Sequence, residues 1–140
     1  MTKGYAVRLG EIAEIKTGLV LNRKQAVNKE KSFKYNTLTL KSLKKNGVID
    51  NDELDVFLSG ETLNDNYLTH VDDIVLRLSE PNTVTYINEK NTNILVPSQF
   101  CILRRKNRLF NFEFLAWYLN SEAVKKRLKK SSIGSTLPIV

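Results

Sequence analysis

The chain has 140 residues, the size of one ordinary domain, and 41% of them are hydrophobic, which is enough for one core. Lysine and arginine number 22 against 15 acidic residues, and the formal net charge of +7 favours a polyanionic partner, nucleic acid before an acidic membrane surface. One cysteine, Cys101, excludes a disulfide framework within the chain, and no apolar run approaches the length of a membrane span.

The N-terminal third predicts two strands separated by a basic segment. Residues 12–16 are predicted as a short strand, preceded by a one-turn entry and ended by Thr17-Gly18, with Leu9, Ile12 and Ile15 as candidates for the core. Residues 19–34 are polar and basic with few periodic apolar positions, which predicts a long loop, either a functional one or a solvated one without a role. Residues 35–40 alternate as a strand does, and Asn46-Gly47 is a turn signal.

The stretch of residues 67–87 predicts two further strands joined by a polar turn. Residues 74–78 are a short apolar run, and residues 83–87 are rich in β-branched and aromatic side chains. Between them lies Ser79-Glu80-Pro81-Asn82, a turn-forming cluster. A loop held on rigid strands is a common place for binding residues, and Arg77 and Asn82 at its ends can contact nucleobase edges.

The remaining segments predict two more strands and then a C-terminal helix. Residues 54–58 and 99–103 are strand-like, residues 104–108 form a basic turn, and residues 112–130 have helical spacing with a break at Asn120-Ser121. Strands followed by helix, without βαβ alternation, predict an α+β fold with a mixed or antiparallel sheet and a C-terminal helical segment. The aromatic residues of this region fit a core better than a base-stacking surface: Phe110, Phe112, Phe114, Trp117 and Tyr118.

Charge is segregated along the sequence. Residues 23–45 hold eight basic residues against one acidic residue, whereas residues 50–80 hold nine acidic residues against Arg77 alone. This pattern predicts one basic and one acidic face, the former suited to a nucleic-acid duplex. For Arg77, an ion pair with the acidic cluster is an alternative to contact with a base.

The sequence contains no recognisable catalytic constellation. It has no glycine-rich phosphate loop, its one histidine (His70) and one cysteine are too few for an ordinary zinc site, and the acidic residues lack calcium-loop spacing. We therefore expect a binding module without cofactor or metal, in a reducing cytoplasmic setting.

Five motifs, in order, resemble a known family. Residues 9–18 (LGEIAEIKTG) are similar to the opening of a target recognition domain from the specificity subunit of type I restriction–modification enzymes. Residues 73–78 (DIVLRL) resemble the family's G-D-I-L-I-S strand, except that Asp72 replaces the glycine. The other motifs are residues 96–104 (VPSQFCILR), 114–121 (FLAWYLNS) and 133–139 (IGSTLPI). The long spacer helix that follows the exit motif in the family is not present, as expected of an excised, truncated or split subunit.

The resemblance implies a non-catalytic domain, residues 1–140, that binds double-stranded DNA and recognises one half of a bipartite site. It implies a methyltransferase subunit and a restriction subunit as partners, which hold S-adenosylmethionine and ATP themselves. Loop position and side-chain chemistry, not the resemblance, suggest Arg23, Lys24, Lys44 and Lys45 for phosphates. The same reasoning suggests Arg77, Ser79, Asn82 and Thr83 for bases.

Three other functions remain open. A general nucleic-acid-binding domain, for RNA or DNA, would show steep salt dependence without sequence preference. A protein-docking module of the same family would show no duplex binding at all. An enzyme of unfamiliar type is the weakest alternative, since no catalytic group is suggested.

Overall fold

A computed structural model describes residues 5–106, 108, 110–130 and 136–139. Within these residues eight strands form three sheets, accompanied by three α-helices. The strands are β1 (Tyr5–Arg8), β2 (Ala13–Thr17), β3 (Phe33–Thr37), β4 (Asp55–Ser59), β5 (Ile74–Arg77), β6 (Val84–Tyr86), β7 (Phe100–Arg105) and β8 (Thr136–Ile139). The helices are α1 (Leu9–Ile12), α2 (Phe112–Leu119) and α3 (Glu122–Lys130).

The largest sheet has the order β2-β7-β5-β6, and every neighbouring pair is antiparallel. β1 pairs with β8, and β3 pairs with β4, in two further antiparallel sheets. The predicted α+β class, with an antiparallel sheet and a C-terminal helical segment, is confirmed. The order places β5 in the interior of the sheet, where both of its edges are hydrogen-bonded.

The central strands are apolar without alternation because the sheet is covered on both faces. Ile74 and Leu76 of β5 pack into one cluster with the buried residues of α1, α2 and α3, while Val75 packs into a second cluster on the opposite face. Cys101 and Phe100 of β7 divide between the same two clusters. A strand buried on both faces needs apolar residues at every position, which explains the apolar residues 74–76 of the predicted strand.

The prediction for Ile15 is wrong. Leu9 and Ile12 lie in the core as expected, with 1% and 2% exposure, but Ile15 is 37% exposed. β2 is an edge strand of the sheet, so the helical layer covers only its beginning at Ala13.

The basic and acidic segments do not form separate faces as predicted. β3 belongs to the basic segment and β4 to the acidic one, yet they pair along their whole length, with Thr37 opposite Asp55. Ion pairs also join the segments, between Lys24 and Glu61 and between Lys44 and Asp50. Charge segregated along the sequence is therefore interleaved in space, because a hairpin brings distant segments side by side.

β3 begins two residues earlier than predicted and ends at Thr37. The next residue, Leu38, is buried, with a side chain that is 1% exposed. Its N–H donates to the carbonyl of Leu95 over 2.9 Å. The predicted turn at Asn46-Gly47 is confirmed. Gly47 has a φ of +82°, and a Cβ there would lie 2.7 Å from the carbonyl oxygen of Val84, so only glycine fits.

The predicted break in the C-terminal helix is confirmed. Asn111 caps α2 by accepting a hydrogen bond from the Phe114 N–H over 2.9 Å, and the helix ends at Leu119. Asn120 then directs its side chain to β6, where its Oδ1 accepts from the Val84 N–H over 2.8 Å. None of the described helices combines the length and apolar character needed to cross a lipid bilayer.

Two aromatic residues predicted for the core lie at the surface instead. Phe112 is fully buried, and Phe110 and Tyr118 are partly buried, but Phe114 is 50% and Trp117 is 68% exposed. α2 is a surface helix whose inner face carries Phe112, Leu115 and Leu119 into the core, so positions 114 and 117 point outwards. A further correction concerns Arg104 and Arg105, which belong to β7 and not to a basic turn.

Candidate nucleic-acid interface

The turn between β5 and β6, residues 78–82, is closed by hydrogen bonds and is hereafter called the readout loop, because the sequence predicts base contacts there. At its base, the Arg77 N–H donates to the Thr83 carbonyl over 2.9 Å. Asn82 has a φ of +54°, its N–H donates to the Ser79 carbonyl over 2.8 Å, and its side-chain amide donates to the carbonyls of Arg77 and Leu78. Asparagine tolerates this left-handed conformation better than most residues and here also closes the turn.

Arg77 and Ser79 present their polar groups at the surface of this loop. The Arg77 Nε donates to the Ser79 Oγ over 3.0 Å, which fixes the direction of the guanidinium. Arg77 lies opposite Phe100 in the register of β5 and β7, so the two side chains project from the same face of the sheet. The ion pairs seen among the described residues involve Lys24, Lys44, His70, Arg104 and Arg105, and the alternative of an ion pair for Arg77 stays a prediction.

The other two base-contact predictions have different surroundings. Thr83 is 1% exposed, so its side chain is enclosed by protein in this conformation. The amide nitrogen of Asn82 is already bonded to two backbone carbonyls within the loop. Both residues therefore support the shape of the readout loop, while Arg77 and Ser79 face outwards.

The turn that contains Lys44 and Lys45 is hydrogen-bonded to the edge strand β6. The Gly47 N–H donates to the Lys44 carbonyl over 2.9 Å, and the Gly47 carbonyl accepts from the Thr85 hydroxyl over 2.5 Å. Lys45 is exposed, and the Lys44 Nζ lies 3.8 Å from a carboxylate oxygen of Asp50. The turn thus lies beside the strand that leaves the readout loop, a proximity that the sequence did not reveal.

Arg23 is the last residue of a 3₁₀ turn, Leu21–Arg23, that packs near the β3–β4 hairpin, and Lys24 follows it. The Lys24 carbonyl accepts from the Gly60 N–H over 2.9 Å, and its side chain pairs with Glu61. The side chain of Arg23 lies outside the part of the chain that the structure describes. The ion pairs of Lys24 and Lys44 are both solvent-exposed, and exposed pairs contribute only about 0–1 kcal/mol, so a phosphate can displace the carboxylate.

A groove of about 540 Å³ separates the β3–β4 hairpin from the end of the central sheet. One wall includes Leu21, two residues before Arg23, and another includes Phe100, the cross-strand neighbour of Arg77. Its polar lining was missed by the sequence predictions and consists of Thr37, Thr39, Lys41, Glu53, Asp55 and Gln99. Pairing the two apolar runs at residues 74–78 and 99–103 would have placed Gln99 beside the readout loop.

The turn in front of β5 holds two acidic residues with separate structural roles. Asp73 is 2% exposed and accepts hydrogen bonds from Arg104 and from the His70 N–H. Asp72 has a φ of +76°, a left-handed conformation that glycine adopts more easily than aspartate does. One Asp72 oxygen accepts from the Tyr86 hydroxyl over 2.8 Å, and the other lies 3.0 Å from the Arg105 Nε, close but not aligned for a hydrogen bond.

Two other groups considered for chemistry have structural surroundings. Burial raises the pKa of the Cys101 thiol to about 12, so the reactive thiolate is suppressed. His70 is not isolated, because its Nε2 lies 2.7 Å from an oxygen of Asp65. Within the described residues, no three side chains of histidine, cysteine, aspartate or glutamate cluster as a metal site would require.

The model of the type I restriction modification DNA specificity domain family matches residues 3–140. The chain belongs to this family. The specificity domain is the component of restriction–modification systems concerned with DNA sequence and is itself non-catalytic. No curated protein matches the sequence.

Solved structures of type I systems share the fold of this specificity domain. A chain from a structure addressing complex assembly and conformational transition of the type I R-M system has 15% identity and a TM-score of 0.69, over 100% of this chain and 38% of its own length. The HsdS subunit from Thermoanaerobacter tengcongensis has 14% identity and a TM-score of 0.70, over 98% and 38%.

The S subunit of a type I restriction–modification system from M. genitalium is less similar in structure. It has 17% identity and a TM-score of 0.53, over 99% of this chain and 35% of its own. The specificity domain therefore spans little more than a third of each of these three chains.

Proposed function

We propose that this chain, as one target recognition domain over residues 1–140, recognises one half of a bipartite DNA site for a type I restriction–modification complex in the cytoplasm. The observation that carries the proposal is the outward position of Arg77 and Ser79 on a closed loop beside a polar groove, in a chain of the DNA specificity family. A recognition domain needs such rigid presentation, because a side chain fixed before binding loses less entropy on contact with a base.

Base readout is assigned first to Arg77. An arginine guanidinium can donate two parallel hydrogen bonds to O6 and N7 of guanine in the major groove. Because Nε donates to Ser79, we assign the two terminal nitrogens as the donors for such a contact. Asn82 and Thr83 contribute by holding the loop, and Ser79 by orienting the guanidinium or by donating to an acceptor itself.

Phosphate contacts are assigned to the lysines that flank this region. Lys45 is exposed on a turn that is hydrogen-bonded to β6. The carboxylates that pair with Lys24 and Lys44 are themselves exposed. Arg23 belongs to the same turn as Lys24 and remains part of the proposal. Such contacts fix the position of the domain on the duplex without carrying sequence information.

The proposed protein partners are the methyltransferase subunit and the restriction subunit of the same complex, which hold S-adenosylmethionine and ATP. The exposed Phe114 and Trp117 on α2, whose ring centroids lie 5.6 Å apart, favour a role in docking as well as in DNA binding. They lie on the helical side of the sheet, whereas Arg77 projects from the other side, so one domain can contact DNA and the methyltransferase subunit together.

Selection from random duplexes at low salt tests the proposal directly. We expect enrichment of a short motif of a few base pairs, and binding that weakens as salt rises because phosphate contacts release counterions. Binding without enrichment would favour general nucleic-acid binding. The absence of any duplex binding would contradict DNA recognition by this chain and favour docking as its main role.

A further inference from the structure

Gln99 lies at the junction of the groove and the readout loop. Its carbonyl accepts a hydrogen bond from the Leu78 N–H over 3.0 Å, so its backbone is paired with the first residue of the readout loop. Its side chain is exposed and lines the groove. Glutamine is one of the two side chains suited to bidentate contact with adenine, through N6 and N7 in the major groove.

The residues on either side of Gln99 are hydrogen-bonded to the rest of the chain. The Ser98 N–H donates to the Leu19 carbonyl over 2.9 Å, and the Phe100 N–H donates to the Pro97 carbonyl over 3.1 Å. Gly18 packs so closely that a Cβ there would lie 2.0 Å from the Pro97 oxygen. A side chain on so constrained a segment is presented in a defined position, as base readout requires.

The lining of the groove fits base edges better than phosphates. Next to the cation of Lys41 it contains the carboxylates of Glu53 and Asp55, which would repel a phosphate. Carboxylates accept hydrogen bonds from the exocyclic amino group of cytosine, and Thr39 adds a hydroxyl to the same surface. The groove therefore mixes donors and acceptors in the manner of a surface that contacts bases.

We infer that Gln99 is a second specificity-determining residue, which contacts an adenine in the half-site next to the base pair contacted by Arg77. The inference rests on the proposed function, because it has meaning only if the chain recognises DNA sequence. It adds the residue immediately before β7 to the readout loop, so that the ends of two neighbouring strands contribute to recognition.

The test compares motifs selected from random duplexes by the wild-type chain, Gln99→Ala, Gln99→Arg and Gln25→Ala. Gln25 is the other glutamine of the chain and is also exposed, so it is the matched control. We expect Gln99→Ala to lose about tenfold discrimination at one A·T pair while other positions keep theirs. Gln99→Arg is expected to change the preference at that pair towards G·C, and Gln25→Ala to leave the motif unchanged.

The outcomes separate the inference from the proposed function. A wild-type motif that Gln99→Ala leaves intact at every position overturns the role of Gln99 and leaves the proposed function standing. An equal loss of affinity for all duplexes in Gln99→Ala also overturns the inference, since it indicates a structural or phosphate role. If the wild-type chain selects no motif, the proposed function fails first and the inference fails with it.

Discussion

The guanidinium of Arg104 forms two hydrogen bonds with the carboxylate of Asp73, from Nε over 3.0 Å and from Nη2 over 2.8 Å. Asp73 immediately precedes β5 and Arg104 lies near the end of β7, so the pair joins the two central strands at the end opposite the readout loop. The bond to Asp73 raises the pKa of Arg104 above its ordinary value. Arg104 Nη2 also donates to the Leu68 carbonyl over 3.0 Å.

Replacing Asp73 with alanine is expected to destabilise the fold substantially. The carboxylate is 2% exposed, and its loss leaves the His70 N–H without its acceptor and the Arg104 guanidinium with only the Leu68 carbonyl. Breaking a buried ion pair costs about 3–5 kcal/mol. Because Arg104 is partly exposed, we expect the free energy of unfolding to fall by about 3 kcal/mol. Urea unfolding of the wild-type chain and the variant measures the free energy of unfolding.

Asp52→Ala is the matched control for this loss. Asp52 is exposed at the surface, and its removal should change the free energy of unfolding by no more than about 0.5 kcal/mol. Equal effects of the two substitutions would contradict a structural role for the Asp73–Arg104 pair.

Asp72→Gly is expected to be more stable than Asp72→Ala. Both substitutions remove the contacts of the carboxylate with Tyr86 and Arg105, but alanine must still adopt the φ of +76° whereas glycine does so without strain. The left-handed conformation costs an L-residue about 1–2 kcal/mol, so glycine should exceed alanine by about 1 kcal/mol in the free energy of unfolding.

Asp55 provides the opposite comparison, because it lies in β4 without a positive φ. Glycine weakens a strand, so Asp55→Gly should be less stable than Asp55→Ala. If Asp72→Gly were also less stable than Asp72→Ala, the result would contradict backbone strain at Asp72.

The stability of the protein is expected to fall at alkaline pH through Tyr86. Burial, and then the hydrogen bond to Asp72, raise the pKa of the Tyr86 hydroxyl from 10.0 to about 12. Because the folded-state pKa exceeds the unfolded one, the stabilisation is fully present below pH 10 and disappears as the pH rises through about 12. Tyr86→Phe lacks this ionisation.

The difference in free energy of unfolding between wild type and Tyr86→Phe should therefore be constant below pH 10 and shrink above it. Urea unfolding of both proteins across this range measures the difference, and Tyr67→Phe controls for the removal of a phenol elsewhere. A difference that stays constant up to about pH 12 would contradict the described environment of Tyr86.

Trp117 should behave as a surface residue. It is the one tryptophan of the chain and is 68% exposed, so its fluorescence in the folded protein should be quenched readily by a small neutral quencher. Trp117→Ala should cost less than about 1 kcal/mol in stability, in contrast to the 3–5 kcal/mol typical of a buried aromatic residue. Fluorescence protected from the quencher in the free chain would contradict the exposed position.

Six of the eight strands and the break in the helix were predictable because their signals are local, whereas β1 and β8, which pair with each other, were not predicted. Apolar runs at residues 74–78 and 99–103 mark strands covered on both faces, and Asn46-Gly47 marks a turn that needs a positive φ. The α+β class followed from their order along the chain.

Features that depend on pairing between distant segments could not be predicted. The sequence does not state that β3 pairs with β4, and that pairing is what mixes the basic and acidic segments. The outward direction of Phe114 and Trp117 depends on which side of α2 meets the sheet. Gln99 was missed for the same reason, since only the pairing of β5 with β7 brings it beside Leu78.

The central claim is that Arg77, the last residue of β5 before the readout loop, recognises a nucleobase, and one measurement tests it most directly. Duplexes selected by the wild-type chain are compared with those selected by Arg77→Ala, with Lys90→Ala as a control that removes one exposed positive charge elsewhere. We predict that Arg77→Ala loses about tenfold discrimination at one G·C pair, while Lys90→Ala keeps the whole motif. A motif that is unchanged in Arg77→Ala would contradict the account.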